Sequence, residues 1–207
     1  MSDPIPVLVF GRTPRPGAVK RRLIPALGTD GAARLYEDML RATVRTAAGA
    51  GVGPVELWVT PTIEHPLLGA LAAKWGVTLH SQRGADLGAR MQGALERTLR
   101  SAPGAILVGS DCPSLAADDL REATRRLQAG DDVVLGPAVD GGYYLIGLAR
   151  PVPELFRDVS WGSEEVLALT RQRLSVAGSR WSELTKRRDV DRPSDLHHLE
   201  RPPGTGA

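Results

Sequence analysis

The stretch "AILVGSDCPSL", residues 105–115, ends an apolar run on an acid. Ala105, Ile106, Leu107 and Val108 run without helical spacing into the turn formers Gly109, Ser110 and Pro113, which reads as a short strand buried on both faces. Asp111 stands where that strand leaves the core. A carboxylate there either caps the following turn or faces something positive.

Working outward, apolar runs and amphipathic segments alternate along the chain, the pattern of a mostly parallel sheet covered by helices on both faces. Strands are expected at residues 6–10, 55–60, 77–80, 105–110, 132–136 and 143–148, with a last one near 181. Helices are expected from a Thr29 N-cap through about 48, at 65–75, at 87–100 and at 115–128 with its cap near Asp118. Others follow near Glu154, at 163–175 and from Pro193.

The 207 residues suit one large α/β domain over 1–200, with "RPPGTGA", 201–207, expected as a flexible tail. A formal charge of +2 and 4% aromatic residues offer neither the basic field nor the stacking surface that a nucleic-acid partner needs. No run approaches the roughly 18 apolar residues of a membrane span, and "MSDPIPVLVF" lacks the basic start of a signal peptide. Cys112 is the single cysteine, so no internal disulfide forms and a reducing cytoplasm is the expected location.

In an open parallel sheet, ligands sit in the crevice beyond the carboxyl ends of the strands. The residues expected there are Gly11 to Lys20, Ser81 to Arg90, Ser110 and Asp111, Pro137 to Gly142, and Asp189 to Asp191. The loop "GRTPRPGAVK" combines Gly11 and Gly17 with Arg12, Arg15 and Lys20. Turn chemistry accounts for its Gly and Pro but not for three cations, whereas phosphate binding accounts for both. Lys is otherwise found only at 74 and 186, since nearly all basic residues are Arg. The loop "SQRGADLG" adds Gln82, Arg83, Gly84, Asp86 and Leu87, with Arg90 in the helix behind it, as a nucleotide-contacting segment.

Asp111 and Asp191 are the candidate metal ligands, because Mg²⁺ is usually held by one or two carboxylates plus substrate phosphates. Asp191 could equally cap the helix that Pro193 opens. Asp140, in "DGG", is either part of a hairpin turn or a catalytic residue acting as general base. Cys112 reads as a packed side chain rather than a nucleophile, and no P-loop or G-x-G-x-x-G motif follows the first strand.

At these same residues the sequence resembles a bacterial family. "PRPGAVKRRL", "GADLGARM", "VGSDCPSL", "LGPAVDGGYYLIGL", "FRDVSWGSEEVLALT" and "DVDRPSDL" are similar, in order and interval, to the DUF2064 proteins, also labelled selenodomain-associated transferase 1 or arsenosugar-biosynthesis-type glycosyltransferases. Arg21 departs from the family pattern, which has Thr after the lysine. The resemblance implies the nucleotide-diphospho-sugar transferase superfamily and its GT-A fold, a Rossmann-like three-layer α/β/α sandwich with a mostly parallel central sheet. It also implies kinship with molybdenum-cofactor nucleotidyltransferases and 2-phospholactate guanylyltransferases. By that resemblance the metal falls on Asp111 and Asp191, and Lys20 faces the phosphates.

The expected activity is a Mg²⁺- or Mn²⁺-dependent nucleotidyl transfer. An NTP would pass its NMP to a small phosphorylated or phosphonate acceptor and release pyrophosphate, with Lys20, Asp111 and Asp140 as catalytic residues. Three cations in the first loop suit a triphosphate. The alternatives are a glycosyltransferase using a nucleotide-diphospho-sugar and a protein that binds nucleotide without turnover. The expected partners are thus a nucleotide and a small-molecule acceptor, with a homodimer left open as an oligomeric state.

Overall fold

A computed structural model describes residues 3–199, so the expected tail at 201–207 lies outside the described residues. Seven strands form one sheet: β1 (Val7–Arg12), β2 (Val55–Thr60), β3 (Thr78–Ser81), β4 (Ala105–Gly109), β5 (Val133–Pro137), β6 (Tyr143–Leu148) and β7 (Trp181–Glu183). Their spatial order is β3-β2-β1-β4-β6-β5-β7. The pairs β1 with β2, β1 with β4, β2 with β3 and β5 with β7 are parallel, while β6 runs antiparallel to both β4 and β5. Strand β6 is reversed because only five residues, 138–142, join it to β5, too few for the crossover that a parallel pair needs. The "DGG" loop is therefore the tip of a hairpin.

The helices are α1 (Ile24–Ala50), α2 (Pro66–Trp75), α3 (Leu87–Leu99), α4 (Ala117–Gln128) and α5 (Val166–Val176). On one face of the sheet, Val7, Val9, Ile106 and Val108 pack with Leu40 and Val44 of α1, Leu68 of α2 and Leu120 of α4. On the other, Leu8, Phe10, Leu107 and Ile146 pack with Met91 and Leu95 of α3 and Leu167 and Leu174 of α5. Successive residues of β1 and β4 thus face opposite layers, as the strand period of two requires. Near-complete burial on both sides explains why these strands read as continuous apolar runs.

Several boundaries differ from expectation by a few residues, and at three of them the local reason is plain. Helix α1 begins at Ile24, and Gly28, at φ 69° and ψ 169°, breaks its first turn from the regular run that follows. Helix α4 begins at Ala117 with Ala116 as its N-cap, and the acid near Asp118 that closes this end is Asp119, whose carboxylate reaches back to accept the Ala116 N–H at 2.8 Å. The segment opened by Pro193 is a 3₁₀ run, Pro193–His198, whose N-terminal N–H groups at Asp191 and Arg192 are satisfied by the Asp195 carboxylate.

From β1 the chain winds outward to β2 and β3, then returns to place β4 on the other side of β1. The direction of winding reverses between β1 and β4, and the loops leaving their carboxyl ends separate to open a crevice.

Candidate functional site

The crevice has a volume of about 790 Å³ and lies at that switch point. Gly11 and Arg12 end β1 on one side of it, and Ser110 and Asp111 follow β4 on the other. Gly11 is buried because α1 crosses immediately behind it: a Cβ there would meet the Tyr36 hydroxyl at 3.1 Å and Leu40 Cδ1 at 3.3 Å. Tyr36 Oη accepts the backbone N–H of Arg12 at 2.6 Å and lies 3.0 Å from Ser110 Oγ, so one phenol ties both strand ends together. Burial pushes the Tyr36 hydroxyl up to about 12, with the Asp111 charge adding to it.

Lys20 turns the first loop into the 3₁₀ turn Arg21–Leu23 with a left-handed backbone, φ 45° and ψ 41°. An L side chain rarely adopts that conformation, and here tertiary contacts hold it. The Lys20 ammonium, with a side chain 3% exposed, donates to the Val190 carbonyl at 2.6 Å and lies 2.7 Å from Asp111 Oδ1 and 3.8 Å from Asp191 Oδ1. Asp111 and Asp191, 80 positions apart, thus converge on one cation.

Both carboxylates had an alternative use as caps. Asp111 caps nothing: the turn after it closes through Leu115 N–H to the Cys112 carbonyl, and the Asp111 side chain faces Lys20. Asp191 does not cap the 3₁₀ run either, a task that falls to Asp195, and its Oδ2 is 2.6 Å from Arg22. What holds Asp191 in place is its neighbour. Val190 is buried with Leu23, Ala32 and Met39 and donates its N–H to the Asp111 carbonyl at 2.9 Å. Burying such a side chain stabilises by about 1.5–3 kcal/mol.

Asp189 lines the same crevice, and its Oδ1 is buried with no hydrogen-bond partner among the described residues. Burial pushes its carboxyl up to about 7, and the charges of Asp111 and Asp140 add to that. The Cys112 thiol is buried and pushed up to about 12 by that burial, so it is not a nucleophile at neutral pH.

Of the expected site residues, Gly11, Arg12, Gly17, Lys20, Gln82, Leu87, Arg90, Asp111 and Asp191 line the crevice. Arg15, Arg83, Gly84, Asp86 and Asp140 do not line it. Asp86 is the N-cap of α3, accepting the Ala89 N–H at 2.8 Å, and the Gly84 carbonyl accepts from Arg90 Nε, so "GADL" folds back onto its own helix. Gln82 donates to the Gly11 and Trp58 carbonyls, both at 2.9 Å, and so pins the loop. Asp140 accepts the Gly142 N–H at 3.0 Å in its hairpin turn. Sequence reasoning passed over Tyr36, Arg22 and a role for Asp189. Tyr36 shares a helix face with Leu40 and reads as core, while the only signal for Asp189 was its place in "DVD".

A seven-stranded, mostly parallel sheet with one reversed strand, and an acid following the strand at its switch point, is the architecture of GT-A nucleotide-diphospho-sugar transferases. A crystal structure from Desulfovibrio desulfuricans G20 assigned to those transferases superposes with a TM-score of 0.86 at 30% identity, over 100% of this chain and 90% of that one. The family model described as "Uncharacterized protein conserved in bacteria (DUF2064)" matches residues 43–163, and the chain belongs to that family. It is 31% identical over 192 residues to the 3-phospho-D-glycerate guanylyltransferase of Phenylobacterium zucineum (strain HLK1), across 89% of this chain and 85% of the relative. The glucosyl-3-phosphoglycerate synthase of Mycobacterium tuberculosis, solved with Mn²⁺ and UDP, shares the fold with a TM-score of 0.58 at 12% identity, over 95% of this chain and 75% of that one.

Proposed function

We propose that this protein transfers a nucleotidyl group, with GTP as donor, to a small phosphorylated acid of the 3-phosphoglycerate type, releasing pyrophosphate. The observation that carries the reading is the meeting of Lys20, Asp111 and Asp191 at one point of the crevice, in a chain 31% identical to a guanylyltransferase.

The donor set fits a divalent cation. Asp111 and Asp191 offer half-exposed carboxylates, and Asp189, whose Oδ1 has no hydrogen-bond partner among the described residues, lines the same crevice. All are hard oxygen donors, and no complete cage of three or more His, Cys, Asp or Glu exists among the described residues. That suits Mg²⁺ or Mn²⁺ completed by substrate phosphates. When bound, the ion supplies Lewis-acid stabilisation of charge on the transferring phosphoryl group.

The chain's own residues do the rest. Arg12, Arg21 and Arg22 place positive charge along the mouth of the crevice, where a triphosphate would lie. Lys20 holds the two carboxylates in register from behind. A phosphate oxygen of the acceptor attacks the α-phosphorus, a new phosphoanhydride bond forms, and the bond between the α- and β-phosphates breaks as pyrophosphate departs. The acceptor phosphate is already ionised at neutral pH, so no protein base is needed. The unreactive Cys112 and the turn-bound Asp140 accord with that.

The test mixes purified protein, Mg²⁺, each of the four NTPs and a panel of small phosphorylated acids that includes 3-phospho-D-glycerate. Pyrophosphate release and a product heavier by one NMP are followed by mass. Formation with GTP is expected, and Asp111→Ala should lower kcat by roughly 100-fold or more. Glycosyl transfer is favoured by one observation, the 30% identical structure assigned to the nucleotide-diphospho-sugar transferases. Release of NDP from a nucleotide sugar, with no pyrophosphate from any NTP, would replace the nucleotidyl reading with that one.

A further inference from the structure

Tyr36 and Ser110 join two parts of the crevice wall that are far apart in sequence. Tyr36 projects from α1 and Ser110 follows β4, and both line the crevice although only 2% and 3% exposed. Their oxygens are 3.0 Å apart, and Tyr36 Oη also accepts the Arg12 N–H at 2.6 Å.

The protons of this pair do not balance within the protein. Two hydroxyls carry two protons. The bond between them consumes one, whichever group donates, and the Arg12 contact brings its own. Neither oxygen makes any further hydrogen bond among the described residues, so one O–H is left without an acceptor. A buried donor in that condition is costly unless water or a ligand in the crevice accepts from it. Asp111, the next residue along, does not meet it, since its Oδ1 is 2.7 Å from Lys20. The leftover proton therefore sits beside Arg12, at the junction of the cationic first loop with β4.

We propose that the Tyr36–Ser110 pair is a built-in hydrogen-bond donor to a phosphoryl oxygen of the bound nucleotide. This assignment rests on the nucleotidyl-transfer reading above. It goes beyond that reading by naming two residues outside the charged set and a specific sharing of one proton between them.

The sharing has a signature. In Ser110→Ala, Tyr36 keeps its contact with Arg12 and its own proton becomes free; in Tyr36→Phe, the Ser110 proton becomes free. Each single variant keeps a donor, and only the double variant has none. Magnesium pyrophosphate, titrated calorimetrically, should bind each single variant within about 5-fold of the unaltered protein. Y36F/S110A should lose about 10-fold or more beyond the product of the two single losses, the scale of one hydrogen bond to a charged oxygen. Y36F/S110T, which restores one hydroxyl, should return to within about 3-fold of Y36F. A merely structural role would make the losses multiply, or fall short of the product because both single variants break the same bond, and would leave Y36F/S110T no better than Y36F/S110A. Either result overturns the proposal. If Y36F/S110A fails to fold, Y36F/S110C replaces it, because a thiol is a weak donor of similar size, and it should bind at least 3-fold less tightly than Y36F/S110T.

A parallel titration with 3-phospho-D-glycerate separates the two sources of phosphoryl oxygen. Loss confined to pyrophosphate supports the assignment, and loss confined to 3-phospho-D-glycerate overturns it in favour of the acceptor. If the unaltered protein shows the pyrophosphate pattern but makes no nucleotidyl product, the reaction falls and the donor stands. If it turns over and the losses simply multiply, the donor falls alone. Binding of neither probe removes both.

Discussion

Replacing Lys20 by Met removes the charge at the centre of the site while keeping a chain of similar length. The ammonium is 3% exposed and makes two charge-assisted contacts, at 2.6 Å to the Val190 carbonyl and 2.7 Å to Asp111. Breaking a fully buried pair costs about 3–5 kcal/mol, and an exposed pair is worth about 0–1 kcal/mol. Asp111 is 48% exposed and can regain water, which discounts the loss, whereas the Val190 carbonyl is left without its donor. The balance is a loss of about 1–3 kcal/mol. Met is also an L-residue and inherits the left-handed backbone at position 20, so strain does not change between the two proteins. For a chain of this length, a loss of that size lowers Tm by about 2–12 °C. Urea unfolding at pH 7.5 in EDTA measures it, with an unchanged m-value showing that the unfolded states are comparable. Stability within about 0.3 kcal/mol of the unaltered protein, or above it, would refute the account of Lys20 as the tie between the first loop and the segment around Val190.

Three further outcomes are expected. Gly141→Ala should destabilise by about 2 kcal/mol or more in thermal melts, because residue 141 has φ 89° and a Cβ there would collide with the Glu164 carbonyl oxygen. Asp119→Ala should cost about 3 kcal/mol or more in the same melts, since one buried carboxylate both caps α4 and accepts from Arg187 at 2.8 Å. Glu122 is pulled down to about 2 by its hydrogen bonds to Arg125 and Arg126, so it favours the folded state above about pH 4.5, and that contribution is lost as pH falls towards 2. Its side chain is a third exposed, so Glu122→Gln should cost less than about 1 kcal/mol at pH 7 and a smaller amount at pH 2, as read from urea midpoints at the two pH values.

The layer architecture was legible because burial on both faces leaves a plain mark. Ala105 to Val108, Val55 to Val59 and Tyr143 to Leu148 are unbroken or nearly unbroken apolar runs, and each is a strand of the sheet. Turn chemistry is also local, so the hairpin turn at "DGG", where Asp140 accepts the Gly142 N–H, follows from residue type and position. The acid at the end of β4 was visible as an anomaly. Its use was not, because a cap and a ligand look the same until a third residue arrives.

That third residue is what tertiary structure decided. Lys20 and Asp191 are 171 positions apart, and only the reversal of winding between β1 and β4, with Val190 packed under α1, brings them both to Asp111. The same assembly set Tyr36 across to Ser110. The sequence by itself determined which segments must be buried and where each must end, since hydrophobic period and turn chemistry act over a few residues. Which polar groups face one another across the crevice is a long-range matter, settled only when the sheet closes and each buried charge or hydroxyl must find a partner or be left for a ligand.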